Sequence, residues 1–192
     1  MWLNTPLLVL LLVLSGTFTQ DIYAKEFERR ESRVQATYLT HLINYTSWTR
    51  DHLPEGGQSP KILVLGTERN GFIASLQYLL SQSDTKIGGI SVKKSQVVSG
   101  NSLAELKKGA QVIVLMPDAK ISLEAIRKHS PHAVVFAFGR DLVTKKGVDV
   151  SFVSSRNRVK LVLSEDYFRR TSPKLSAKIA NLKSVVEIIK NS

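Results

Sequence analysis

Three short apolar runs, each closed off by turn formers or polar residues, constrain this chain more than anything else in it. They are Lys61-Ile-Leu-Val-Leu-Gly66, Gln111-Val-Ile-Val-Leu-Met116 and Ala133-Val-Val-Phe-Ala-Phe138. A run without polar alternation suits a strand covered on both faces. Helical stretches separate them. Asn70 stands ready to cap a helix through Phe72, Ile73, Leu76, Leu79 and Leu80, Ser102-Leu-Ala-Glu105 forms a capping box, and Asp118 precedes a helix over 121–129. Buried strands alternating with helices predict right-handed β-α-β crossovers and a mainly parallel sheet flanked by helices, an α/β fold.

The flanking segments read differently. Residues 26–48 contain neither Pro nor Gly, and Val34, Tyr38, Leu39, Leu42, Ile43 and Tyr45 recur at helical spacing, which predicts one long amphipathic helix. A loop follows over 51–60, and residues 90–98 alternate weakly like a strand. After Gly139, Val148–Val153 and Arg158–Leu163 alternate about a turn at Ser154–Asn157, predicting a C-terminal antiparallel hairpin with one wet face. Ser164 can cap a short helix through Tyr167. Ser172-Pro173 then opens a terminal helix whose apolar stripe is Leu175, Ile179, Leu182, Val186 and Ile189. No Pro/Gly-rich linker divides the chain after its N-terminus, so residues 25–192 are expected to form a single domain.

Residues 1–24 are expected to be a signal peptide. The apolar run Thr5–Leu14 is about ten residues long, short of the ~20 that a bilayer-spanning helix needs, and Ala24 is a small residue suited to a cleavage point. No Lys or Arg precedes the run, and Lys25, Arg29, Arg30 and Arg33 follow it, so an uncleaved anchor is the alternative. Cleavage near Ala24 would place the protein in the periplasm. It also settles how the charge is read: 27 Lys and Arg against 16 Asp and Glu give a net +11, which in an exported protein speaks for an acidic partner or an anionic membrane surface and not for nucleic acid. The removed segment carries only Asp21, so the excess grows by one. With no cysteine, disulfides, thiolate metal sites and a cysteine nucleophile are excluded.

The residues show no catalytic constellation. Gly66-Thr-Glu-Arg-Asn-Gly71 joins a strand to a helix, where α/β folds bind phosphate, but it lacks the P-loop ending and the dinucleotide spacing, and Glu68 opposes an anion. Asp118, just past a buried strand, reads fully as a cap. Ser130-Pro131 separates His129 from His132 and prevents a shared helical face, so neither they nor His41 and His52 suggest a metal site. There is no Gly-x-Ser-x-Gly elbow, and Glu165 and Asp166 are adjacent and diverge on a helix. No cofactor is expected. Arg156, Arg158 and Lys160 alternate on the hairpin and so would present three positive charges together, suited to an acidic partner surface or to peripheral contact with anionic lipid.

Taken in order, the stretch Val34–Trp48, Ile62–Gly66, Gln111–Leu115, the Val150–Leu163 hairpin and the closing Lys- and Leu-containing helix resemble the YfiR/HmsC-like family of small periplasmic proteins, over roughly residues 34–188. The most specific features are the first helix ending in aromatic-x-x-Trp, here Tyr45-Thr-Ser-Trp48, and the hairpin followed by its helix. The resemblance implies an exported, non-enzymatic α/β regulator. It would bind the periplasmic domain of a membrane-bound diguanylate cyclase or sensor kinase and hold the cyclase inactive, lowering cyclic di-GMP and biofilm formation. Control through cysteine pairs, known in the family, does not carry over to this cysteine-free chain. Tyr45, Trp48, Arg156 and Arg158 are the expected partner-binding residues. Two alternatives stay open: self-association as a homodimer, and a binding module for a small anion around Gly66–Asn70 and Asp118 within a membrane sensor system.

Overall fold

The computed structural model describes residues 26, 28–54, 56, 58–68, 70–155 and 158–190. The expected signal peptide, 1–24, and Arg156 lie outside the described residues.

The three apolar runs form neighbouring strands at the centre of one sheet. A first helix, α1, spans 28–44, and β1 is the two-residue strand Thr46–Ser47. Then come β2 (Ile62–Leu65), α2 (Phe72–Gln82), the small pair β3 (Lys86–Ile87) and β4 (Ile90–Ser91), and β5 (Val97–Gly100). Helix α3 (Leu103–Lys107), β6 (Val112–Leu115), α4 (Leu123–His129), β7 (Val134–Phe138) and α5 (Asp141–Lys146) complete the alternating part. The hairpin β8 (Val150–Ser155) and β9 (Arg158–Ser164) leads into α6 (Glu165–Arg169), β10 (Lys174–Leu175) and β11 (Val186–Ile189).

The seven-stranded sheet runs β11-β9-β8-β7-β6-β2-β5, with every pair parallel except β8 and β9. Alternate side chains of each central strand enter different layers. Ile62, Val64, Val112, Val114, Val134 and Phe136 pack with Leu39, Leu42 and Ile43 of α1 and Phe72, Leu76 and Leu80 of α2. Leu63, Leu65, Ile113, Val135 and Ala137 face the other way, onto Leu106 of α3 and Ile126 of α4. The fully apolar runs are thus what a sheet covered on both sides demands.

Several local expectations give way. The long helix stops at residue 44, because Thr46 and Ser47 pair antiparallel with Leu175 and Lys174. The expected strand over 90–98 is split: Gly88 and Gly89, at φ 59° and 84°, turn the chain tightly between β3 and β4, and only Val97–Gly100 joins the main sheet. Asn70 does not cap α2. It has φ 61°, and the Glu68 carboxylate accepts the N–H of Ile73 at 3.2 Å instead. Ser122, not Asp118, caps α4, accepting from the Ala125 N–H. Ser102 and Ser164 cap their helices as expected. The hairpin is wet only near its tip, since Val150, Ser151, Phe152, Leu161, Val162 and Leu163 at its base are all buried.

The terminal helix is the largest correction. Ser172–Pro173 is a cis peptide, Lys174–Leu175 is a strand, Ala177–Asn181 is a 3-10 turn, and Val186–Ile189 lies parallel to β9 at the sheet edge. The four-and-three stripe is compatible with a helix, but Val185-Val-Glu-Ile-Ile189 is β-branched at four of five positions and meets an unpaired edge of β9.

Candidate functional site

Helix α1 runs antiparallel to the central strands, so its ends mark the two poles of the molecule. At its start, the Ser154 hydroxyl donates to the Glu31 carboxylate, which also accepts from Gln35 Nε2 at 2.7 Å. That places α1 against the hairpin tip, at the carboxyl ends of β2, β6 and β7. At its finish, Tyr45 O accepts the Ser176 N–H at 2.8 Å, and Thr46 meets Tyr167 at the opposite pole.

The expected partner-binding residues therefore fall into two places. Tyr45 is 43 % exposed, and Trp48 is half-buried against the core with its indole Nε1 buried and unpartnered among the described residues. Arg158 is exposed at the far pole, beside Lys160. From residue 30 to residue 45 the helix advances ~22 Å, so one small ligand cannot touch both groups, whereas a protein surface can.

The pole bearing the aromatics contains polar clusters that join distant segments. Asp149, its side chain 2 % exposed, accepts from Arg127 Nη2 at 2.9 Å and Arg170 Nη2 at 2.7 Å through Oδ1, and from the Val135 N–H at 2.8 Å through Oδ2. Arg127 also donates to Ala133 O, fixing α4 to β7. Arg170 lies 5.5 Å from the Tyr167 ring centroid, and the Tyr167 hydroxyl is 3.0 Å from Thr46 Oγ1, which donates to Leu42 O. Burial pushes the Tyr167 phenol well above its usual range. These contacts run from α4 through Asp149 to Leu42 at the end of α1 and Thr46 just past it. Alternation between Val148 and Val150 put Asp149 on the wet face of the hairpin, so its burial just before β8 and its need for donors were not visible in the sequence.

A second cluster escaped sequence reasoning altogether. The rings of His52 and His132 stack at 3.6 Å, and His52 Nδ1 lies 2.9 Å from Ser172 Oγ and 3.2 Å from Thr49 Oγ1. Burial first, then the His132 charge, hold the His52 pKa below its ordinary value, with Asp51 opposing. The Ser172–His52 contact has the reach of a nucleophile and its base. No carboxylate or carbonyl orients the other ring nitrogen among the described residues, and one ring face is covered by His132. It acts as a fastening between the segment after β1, the α4–β7 turn and the segment before β10. No group of three or more metal-ligating side chains occurs among the described residues.

The carboxyl ends of β2 and β6 form the switch point at which α/β sheets of this order bind ligands. Here Asp118 Oδ1 accepts the Thr67 N–H at 2.9 Å, and Glu68 caps α2. A Cβ on Gly66, whose φ is +106°, would lie 2.7 Å from Met116 Cβ and 2.8 Å from Asp118 Oδ1. The protein's own carboxylates occupy the loop donors, so the geometry disfavours an anion around Gly66–Asn70.

Among the described residues no helix is long and apolar enough to cross a membrane. The family model described as YfiR/HmsC-like matches residues 32–183, from the second turn of α1 past β10. No curated protein matches the chain.

Proposed function

The chain belongs to the YfiR/HmsC-like family, and on that premise we propose that it represses an inner-membrane diguanylate cyclase by binding the cyclase's periplasmic domain. The family is one of periplasmic regulators and not of catalysts. The family match over nearly the whole folded chain is the observation that carries this reading. Export would follow from a cleaved signal peptide at residues 1–24. The result would be lower cyclic di-GMP and less biofilm matrix.

The geometry supports a stoichiometric binder. Exposed Tyr45, with half-buried Trp48 close by in the chain, offers an aromatic contact, and Arg158, with Arg156 beside it in sequence, offers positive charge at the other pole. Aromatics of this kind anchor interfaces, while exposed arginines steer encounter with an acidic surface. Repression requires tighter binding to the inactive cyclase conformation than to the active one. A hundredfold preference corresponds to about 2.7 kcal/mol.

The test is enzymatic. Purified protein is added to membranes that hold the cyclase with its periplasmic domain accessible, and conversion of GTP is followed. Turnover should fall to a plateau at one regulator per cyclase subunit, and Trp48→Ala with Arg158→Glu should raise the concentration needed. Unchanged turnover at saturating protein would refute the proposal.

A further inference from the structure

An open groove of about 410 Å³ lies between the first turns of α1, the hairpin tip and the turn before β11. Its apolar surface comes from Val34, Tyr38, Val159 and Val185. Val34, Tyr38 and Val185 are partly buried and Val159 is 9 % exposed, so they form a continuous floor resting on the core. Around it stand three cations, Arg30, Arg158 and Lys160, all exposed. None of the three forms an ion pair with another described residue. The carboxylate of Glu31 is engaged by Gln35 and Ser154.

This arrangement differs from the protein's other cavities. The switch-point loop is filled by Asp118. The Asp149 cluster spends its carboxylate on internal donors. A second apolar hollow of about 360 Å³, against Leu115, Met116 and Leu142, has no charged group in its lining to orient a ligand. Among the described residues, the groove beside α1 joins an apolar floor to a net positive rim, three cations against the single carboxylate of Glu31.

We propose that this groove binds a small amphiphilic carboxylate, its acid group held by Arg158 and Lys160 and its hydrocarbon part laid on Val34, Tyr38, Val159 and Val185. The volume falls in the range of small-molecule sites, and the division into an apolar lining with a few polar groups at one side is how such sites orient ligands. Arginine at the rim favours a planar carboxylate by presenting paired donors. Arg158 also belongs to the proposed partner surface, so an occupied groove displaces the cyclase. That consequence rests on the regulatory reading; the binding itself does not.

Calorimetry on the purified protein with hexanoate, octanoate and decanoate, all below micellar concentration, tests the proposal. Affinity should rise about fourfold for each methylene that is buried. Acetate and decyltrimethylammonium should not bind, the first for want of a tail and the second for its charge. The double variant R158E/K160E, checked for an unchanged thermal midpoint, should lose at least tenfold in decanoate affinity, and Tyr38→Ala should flatten the chain-length dependence. Equal binding of the cationic amphiphile would overturn the proposal. So would full affinity in the folded double variant, absence of decanoate binding, or attachment to anionic vesicles without binding of the monomeric acid. An acidic peptide that binds R158E/K160E as poorly as decanoate does, while wild type takes the peptide and not decanoate, would reassign the groove to a protein segment and refute the ligand.

Discussion

Asp149→Asn removes one charge at constant side-chain size and isolates what the buried carboxylate contributes. In the wild type that group is 2 % exposed and satisfies two guanidinium groups and the Val135 N–H. Removing one partner of a buried ion pair costs about 3–5 kcal/mol, because the opposite charges stay behind. The two arginines are 27 % and 25 % exposed, so water can reach part of each guanidinium, and the lower end, about 3 kcal/mol, applies. For a domain of this size each kcal/mol moves the thermal midpoint by about 2–4 °C, which gives a fall of about 6–12 °C. Glu187→Gln is the internal control. Its bidentate bond to Arg140 has good distances, 2.6–2.9 Å, but both side chains are nearly half exposed, so the loss should stay below about 1 kcal/mol. Urea unfolding followed by circular dichroism measures both variants. A cost for Asp149→Asn no larger than that for Glu187→Gln would refute the view that this cluster fastens α4, β7, β8 and the segment after α6 together.

Three further outcomes follow from the same geometry. The His52 pKa is lowered on folding, so the unfolded chain takes up the proton first; stability is fully present above the unfolded value of about 6.5 and declines as pH falls through it toward the folded value. Thermal midpoints measured between pH 8 and pH 5.5 should fall less in His52→Gln than in wild type, with Asp51, His129 and His132 left in place around the site, and equal slopes would contradict the assignment. Gly66→Ala should cost at least about 2 kcal/mol in urea unfolding, since its Cβ meets Met116 and Asp118 at a φ that alanine rarely adopts. Trp48→Phe gives up no hydrogen bond, because Nε1 has no partner among the described residues, so it should change stability by about 1 kcal/mol or less while weakening repression of the cyclase.

The centre of the fold was legible in the sequence because burial on both faces leaves a local trace. Ile62–Leu65, Val112–Leu115 and Val134–Phe138 are strands whatever else the chain does, and Ser102 and Ser164 cap helices through bonds spanning three residues. Features decided by remote partners were hidden. The stripe from Leu175 to Ile189 fits a helix in isolation, and only the exposed edge of β9 makes Val186–Ile189 a strand. Asp118 looks like a cap until β2 brings Thr67 beside it. The resemblance ran the first helix through Tyr45 to Trp48, whereas it stops at residue 44 and the strand Thr46–Ser47 comes between the two aromatics, and nothing local reveals that they lie at the pole opposite Arg158. The groove was half visible: alternation gathered Arg158 with Lys160, whereas its floor is assembled from α1, β9 and Val185, segments well separated in the chain. The His52–His132 stack joins residues eighty positions apart across two loops, and spacing carries no record of it.

The regulatory reading is tested most directly by cellular cyclic di-GMP after deletion of the gene, with the deletion complemented in parallel by the full chain and by residues 25–192 alone. The account predicts a rise of several-fold on deletion, reversed by the full chain and not by the form that stays in the cytoplasm. Unchanged cyclic di-GMP in the deletion strain would contradict it.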